Sequence, residues 1–543
     1  MKRLLLVLTA NAALWSAACS GGGGTTVLPP PVGKFSVSSL NGTYAFVTNG
    51  EVVTTNGAPA ILARTGSFVA NGSGGIMGGV EDTVTQQSGV GTSVNTDVGI
   101  TGGGYSVGAD GRGSVTLNVV SGGVPATITF GITLTSTSGG LLIDETFTAS
   151  QASTGSGNFF KQDTAAFTNP ILPVTATYVF DFAGFDGSQN PASLVGEFTA
   201  GSGAVTGGFE DVNDAFVLTN GTIPGGGTLI QDPVAPATLT SNGRGLAQIA
   251  GESYVFYIVD ATRVRFISTS GGAMLTGDAV IQTNPPANLS SGFAFVVAGS
   301  TTGGGLTRVG RFTATGGTLT NILVDTNNAG SFIPTNGGTS ATVTMDPATP
   351  GRGTLTFVGG GQSANTPFSF VFYLSSATSG VIQETTQNTS GGIVTVIAVA
   401  DGSIGAQAGN PFSSSNITGT YAMNWTGQSV QAGTTDEEDF VGQATVSNLA
   451  LSGAADIFEF QSVFIGNTGA QTDNAVTGSI FFNGGDGTGD DGKRNTMTVT
   501  LMKNGQSTPV NFVVYFVNPQ LAFFANTKTS STRLVAGVLE TQQ

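Results

Sequence analysis

Three stretches of the chain repeat one pattern. Gly66-Ser67-Phe68-Val69-Ala70 runs through a glycine turn into Gly78-Gly79-Val80-Glu81-Asp82. Gly196-Glu197-Phe198-Thr199-Ala200 runs the same way into Gly207-Gly208-Phe209-Glu210-Asp211. Gly310-Arg311-Phe312-Thr313-Ala314 leads more loosely to Leu319 and Asp325. Each copy reads strand, glycine turn, strand, acid. A chain that repeats such a unit is an array of one β module, with several cores rather than one.

The rest of each unit follows in a fixed succession. An aromatic strand opens it, at Tyr44, Tyr178, Phe293 and Tyr421, at intervals of roughly 115 to 134 residues. That is the size of a small domain, not of a solenoid rung. After the glycine hairpin comes a turn with arginine: Asp110-Gly111-Arg112-Gly113, Asn242-Gly243-Arg244-Gly245, Pro350-Gly351-Arg352-Gly353, and in the fourth unit Asp491-Gly492-Lys493-Arg494. A strongly apolar strand follows, as in Tyr254 to Val259 and Phe512 to Val517. The last strand ends near glutamine at Gln162, Gln282 and Gln542.

Within strands the alternation is strict. Ile128, Phe130, Ile132 and Leu134 interleave with Thr127, Thr129, Thr133 and Thr135. Period two with one apolar face describes half-buried antiparallel strands, and threonine keeps β-propensity on the wet side without charge. About eight strands joined by consecutive hairpins form a meander, and closing it removes the exposed edges. The expected fold is all-β: four tandem antiparallel β-meander domains, each a small up-and-down barrel, with a two-sheet β-sandwich as the alternative. In pattern alone the modules resemble lipocalin-like and avidin-like barrels. Asn-Pro steps at Asn169-Pro170, Asn284-Pro285 and Asn410-Pro411 mark the breaks, giving repeats over 35–169, 170–285, 286–410 and 411–543. Linkers this short imply barrels that touch, as a rod or a cluster.

Composition then narrows function. Only 9% of residues are charged, against about 25% in an ordinary soluble protein. The formal charge is −16 and the basic residues are scattered, so no phosphate-neutralising patch for nucleic acid exists. Histidine is absent, which removes the commonest general base and metal ligand. Cys19 is the single cysteine, so neither an intramolecular disulfide nor a cysteine cluster can form.

Met1-Lys2-Arg3 is a basic start, and Leu4 to Leu14 an apolar run of signal-peptide length. Ser16-Ala17-Ala18-Cys19 follows. Small residues before a cysteine at this place resemble the lipobox of bacterial lipoproteins, with Ser16 where that family usually has leucine. The resemblance covers residues 1–19 only. It implies cleavage after residue 18, a diacylglycerol thioether on Cys19 and acylation of the new amine. Ser20, rather than aspartate, next to Cys19 implies transfer to the outer membrane. Residues 19–34, with Gly21 to Gly24 and Pro29-Pro30-Pro31, read as a tether.

Residues able to carry chemistry are few. Adjacent strand residues face opposite ways, so Glu81-Asp82 and Glu210-Asp211 cannot act as the facing carboxylates of a glycosidase. The structural expectation is that Asp82, Asp211 and Asp325 bond a turn or meet the turn arginines Arg112, Arg244 and Arg352. Asp486, Asp490 and Asp491 form a weak calcium candidate in a glycine-rich loop, without the closing glutamate of an EF-hand; no other cofactor is expected. Asp436-Glu437-Glu438-Asp439 reads as a solvated loop. Trp425 is the one tryptophan beyond the signal region that could line a pocket. The functional expectation is a lipid-anchored, non-catalytic envelope protein with a structural, adhesion or polysaccharide/protein-interaction role, held to the membrane by its lipid. The alternatives are an array of small apolar-ligand barrels and, further off, a glycan-active enzyme.

Overall fold

A computed structural model describes residues 34–54, 59–148, 151–232, 241–270, 272–334, 339–358, 367–390, 393–409, 412–431, 434–459, 471–482, 494–503, 506–527 and 533–543. Cys19, the expected leader and tether, and the calcium candidates Asp486, Asp490 and Asp491 lie outside them.

The body is four closed antiparallel barrels in tandem. In the first, eight strands run from Asn41–Thr54 to Gln151–Lys161, and these two pair to close the wall. In the second, Ala176–Phe185 closes against Met274–Ile281. In the third, Gly292–Thr301 closes against Ala398–Ala406, and in the fourth Gly419–Gln431 against Arg533–Thr541. The two middle barrels break their fourth strand in two. In the second the pieces are Val217–Ile223 and Gly227–Gln231, paired to the upper and lower parts of Ala204–Asp214. In the third they are Ser331–Ile333 and Thr339–Met345.

The lumens are filled. Tyr44, Phe46, Phe68, Phe130 and Phe159 interlock in the first, with ring centroids 5.3–6.5 Å apart. Phe180, Phe182, Phe198 and Phe266 do so in the second. Glycine makes room for these rings: a Cβ at Gly66, Gly196 or Gly310 would stand 2.7–2.8 Å from Phe46, Phe180 or Phe295. The glycine before each repeated phenylalanine is therefore a packing requirement. Trp425 belongs to the same filling. It is buried and stacks on Phe440 at 3.6 Å, and its indole N–H donates to Glu438.

The barrels close into a ring. Strands one to three of each barrel pack on strands six to eight of the next, from first to second, second to third and third to fourth. The fourth barrel's opening strands Gly419–Gln431 and Thr434–Ser447 pack in the same way on Val124–Ser136, Gly139–Asp144 and Gln151–Lys161 of the first. This is a head-to-tail contact whose rotation closes after four steps, the geometry of a cyclic oligomer built within one chain. Each seam has its own apolar layer. Ala45, Ile61 and Val80 meet Val255, Tyr257 and Ile267; Val179 and Val195 meet Val371 and Val381. Ala294 and Val309 meet Val513 and Phe523, while Val53 and Ile143 meet Ala422 and Val441. In the sixth strands of the second and fourth barrels the runs Tyr254 to Val259 and Phe512 to Val517 are apolar without a break, and both their faces are buried.

The barrels also point the same way. An eight-stranded meander starts and ends on one rim, so the linkers all lie on that rim. Gln162 donates to the carbonyls of Asn242 and Ile258, and Gln282 to those of Pro350 and Leu374. Gln542 completes the circuit by donating to Asp110 and Leu134 of the first barrel. The opposite rim carries the remaining hairpins.

Candidate functional site

The repeated acids and arginines lie at the seams. Asp82 accepts both Nε (2.9 Å) and Nη2 (2.8 Å) of Arg244 and the hydroxyl of Tyr257, all from the second barrel. Asp211 accepts Arg352 at 2.8 Å twice, and Tyr373, from the third. Asp325 accepts Arg494 at 2.8 and 2.7 Å, and Tyr515, from the fourth. The sequence expectation placed Asp325 with Arg352. The structure instead hands each aspartate to the arginine of the following repeat, because the third strand turns its outward face to the neighbour. Arg244 and Arg352 also hold an acid of their own turn, Asp232 and Asp346.

The fourth seam is built differently. Arg112 donates to Asp456 at 3.4 Å while its Nε holds Asp110 at 3.1 Å. The place taken by Tyr257 opposite Arg244 is taken by Thr133 opposite Arg112.

The neighbouring glutamate of each pair turns inward. Glu81 lies in the first lumen, 2.8 Å from Arg64, while Asp82 faces out. Burial raises Glu81 above the usual carboxylate range, and Arg64 opposes that shift. The acidic run at 436–439 departs from expectation. It lies on the strand Thr434–Ser447, and Glu437, Glu438 and Asp439 are buried. The strand sits under the first barrel, where Thr154 donates to Asp439 at 2.6 Å. Burial pushes Asp439 up to about 7 and raises Glu437 strongly, with Asp439, Glu51 and Asp144 adding like-charge repulsion. Between the second and third barrels, Asp401 is pushed to about 7 by burial, and Asp181 is raised by burial with Asp401 and Asp278.

Raised carboxyl pairs are the usual mark of acid–base sites. Here they are enclosed between packed walls, and one oxygen of each of Asp181, Asp401, Glu437 and Asp439 has no hydrogen-bond partner among the described residues. Sequence reasoning gave Glu437 and Asp439 to a solvated loop, and it passed over Asp181 and Asp401 because they carry no repeat signature. Tyr257, Tyr373 and Tyr515 escaped it too, although each sits in the apolar strand opposite a turn arginine.

No protein-family model and no curated relative matches the chain. Among solved structures it is similar to an intact Ap-TbpB with N and C lobes, at 12% identity and TM-score 0.17, covering 75% of this chain and 83% of that one. It is similar to a mutant of the vaccine antigen transferrin binding protein B from Haemophilus parasuis Hp5, at 10% identity and TM-score 0.19, covering 75% and 82%. The isotype 1 transferrin binding protein B of serogroup B Neisseria meningitidis stands at 11% and 0.18, covering 74% and 83%. Overlaps this shallow carry no functional assignment.

Proposed function

We propose that the chain is an exported, lipid-anchored protein of the bacterial cell envelope whose ring is a non-catalytic interaction body. The lipobox-like Ser16 to Cys19 and the polarity of the barrels together support this reading. Described structure begins at residue 34, on the linker rim. A tether from Cys19 would meet the ring there and turn the hairpin rim away from the membrane. Two or more acyl chains on Cys19 and its amine give stable anchoring, where one is marginal. The absence of histidine and the enclosure of the raised carboxyls support a binding role over catalysis. The aromatic filling of the lumens favours contacts with polysaccharide or protein at the rim over apolar ligands held inside.

Metabolic labelling with a palmitate analogue tests the anchor. Label on the wild type, lost in Cys19→Ala with release of the protein from membranes, is the expected result. Equal labelling of both would end the reading. Proteinase treatment of intact cells then reports whether the ring faces outward.

A further inference from the structure

Three of the four lumens hold an arginine near the hairpin rim. Arg64 stands 2.8 Å from Glu81 and 3.7 Å from Asp144. Arg308 holds both oxygens of Glu384, at 2.8 and 3.0 Å, and donates to Thr326. Arg533 holds Glu438 and Glu459. Arg64 and Arg308 come from second strands, two residues before Gly66 and Gly310. In the fourth barrel Phe440 has that place, and Arg533 comes from the eighth strand, four residues before Gly537.

The second barrel has neither. Leu194 stands two residues before Gly196, and Ala273 four before Gly277. The acid remains nonetheless: Glu210 precedes Asp211 as Glu81 precedes Asp82. Glu252 and Tyr254 alternate onto the same lumen face from the strand Glu252–Asp260. Tyr254 is 3% exposed, its ring 5.1 Å from Phe182 and 6.0 Å from Phe266. Among the described residues its hydroxyl has no hydrogen-bond partner, and Glu252 and Glu210 are the charges that bear on it. Glu210 and Glu252 are half-buried, so solvent reaches them. Among the described residues Val217–Ile223 pairs with Ala204–Asp214 alone and so branches from the barrel wall.

We propose that the hairpin-rim mouth of the second barrel binds a guanidinium group from outside, held by Glu210 and Glu252 beside the hydroxyl of Tyr254. The incoming group takes the role that Arg64, Arg308 and Arg533 play in the sister lumens. Carboxylate with guanidinium gives paired, charge-assisted hydrogen bonds, and a tyrosine hydroxyl oxygen can accept a further N–H. The negative chain favours arrival of a cation. Burial, with Asp211 and Glu252 adding, pushes Glu210 up to about 7. Asp211 is itself bound by Arg352, and burial keeps Tyr254 protonated. Affinity therefore rises with pH through about 7 as Glu210 ionises.

Calorimetric titration of the full chain tests this, with L-arginine amide, its neutral isostere citrulline amide, and a Gly-Arg-Gly peptide blocked at both ends. The wild type should bind at least one arginine probe and not the citrulline one. Binding should weaken at least tenfold in Glu210→Gln, and equally in Leu194→Arg, which fills the seat from within. If both arginine probes bind, the free cation is a ligand; if only the peptide binds, the guanidinium arrives on a polypeptide. No binding of either, equal binding of citrulline amide, or undiminished binding by both variants overturns the proposal. Glu210→Gln is nearly isosteric, so it remains a test if Leu194→Arg does not fold.

Discussion

Asp325 sits between two arginine N–H groups and a tyrosine hydroxyl, with no solvent on its side chain. Removing one member of such a buried set leaves the others charged or unpaired, at a cost of about 3–5 kcal/mol. Asp325→Ala should therefore lower the urea midpoint strongly. Arg112→Ala, at the longer 3.4 Å contact with Asp456, should lower it less. The residues at these seams were legible in the sequence as a repeated acid and a repeated turn arginine. Their pairing was not, because a repeat shows that two residues recur but not which copies meet. The lumen acids divide similarly. Glu81 and Glu210 read alike in sequence, and only the presence of Arg64 and the substitution by Leu194 across the barrel wall separate them.

At the scale of the strand, the alternation of apolar residues with threonine gave away the meander, and eight strands with no free edge gave away closure. The unbroken apolar runs Tyr254 to Val259 and Phe512 to Val517 carried a message that alternation alone could not deliver: a run without a polar face must be covered twice. The second cover is the neighbouring barrel. The glutamine ending each last strand is the other device at this scale. Gln542→Ala removes two hydrogen bonds to the first barrel and should cost about 1 kcal/mol. It should also raise amide hydrogen exchange where Gln543 N–H donates to Thr135 O at 2.7 Å. A double-mutant cycle on Arg112 and Asp456 should show coupling of about 0.5–3 kcal/mol. Zero coupling would place the two residues apart.

At the scale of the molecule, two seams hold carboxyls raised by burial. For Asp401 and Asp439, at about 7 in the fold, the native state keeps protons that the unfolded chain releases near pH 4. The sign follows: the stability these two groups contribute is fully present below about pH 4 and is lost as pH rises through about 7. Thermal melts should give a higher Tm at pH 5 than at pH 8, and Asp439→Asn should flatten that slope. The ring itself was beyond sequence reasoning, since a rod and a closed circle use the same modules and linkers. Small-angle X-ray scattering distinguishes the two most directly. A closed ring of some five hundred folded residues should give a radius of gyration near the compact-body value of about 24 Å, with a single-peaked distance distribution. A clearly larger radius with the long tail of an extended rod would show that the first and fourth barrels do not meet.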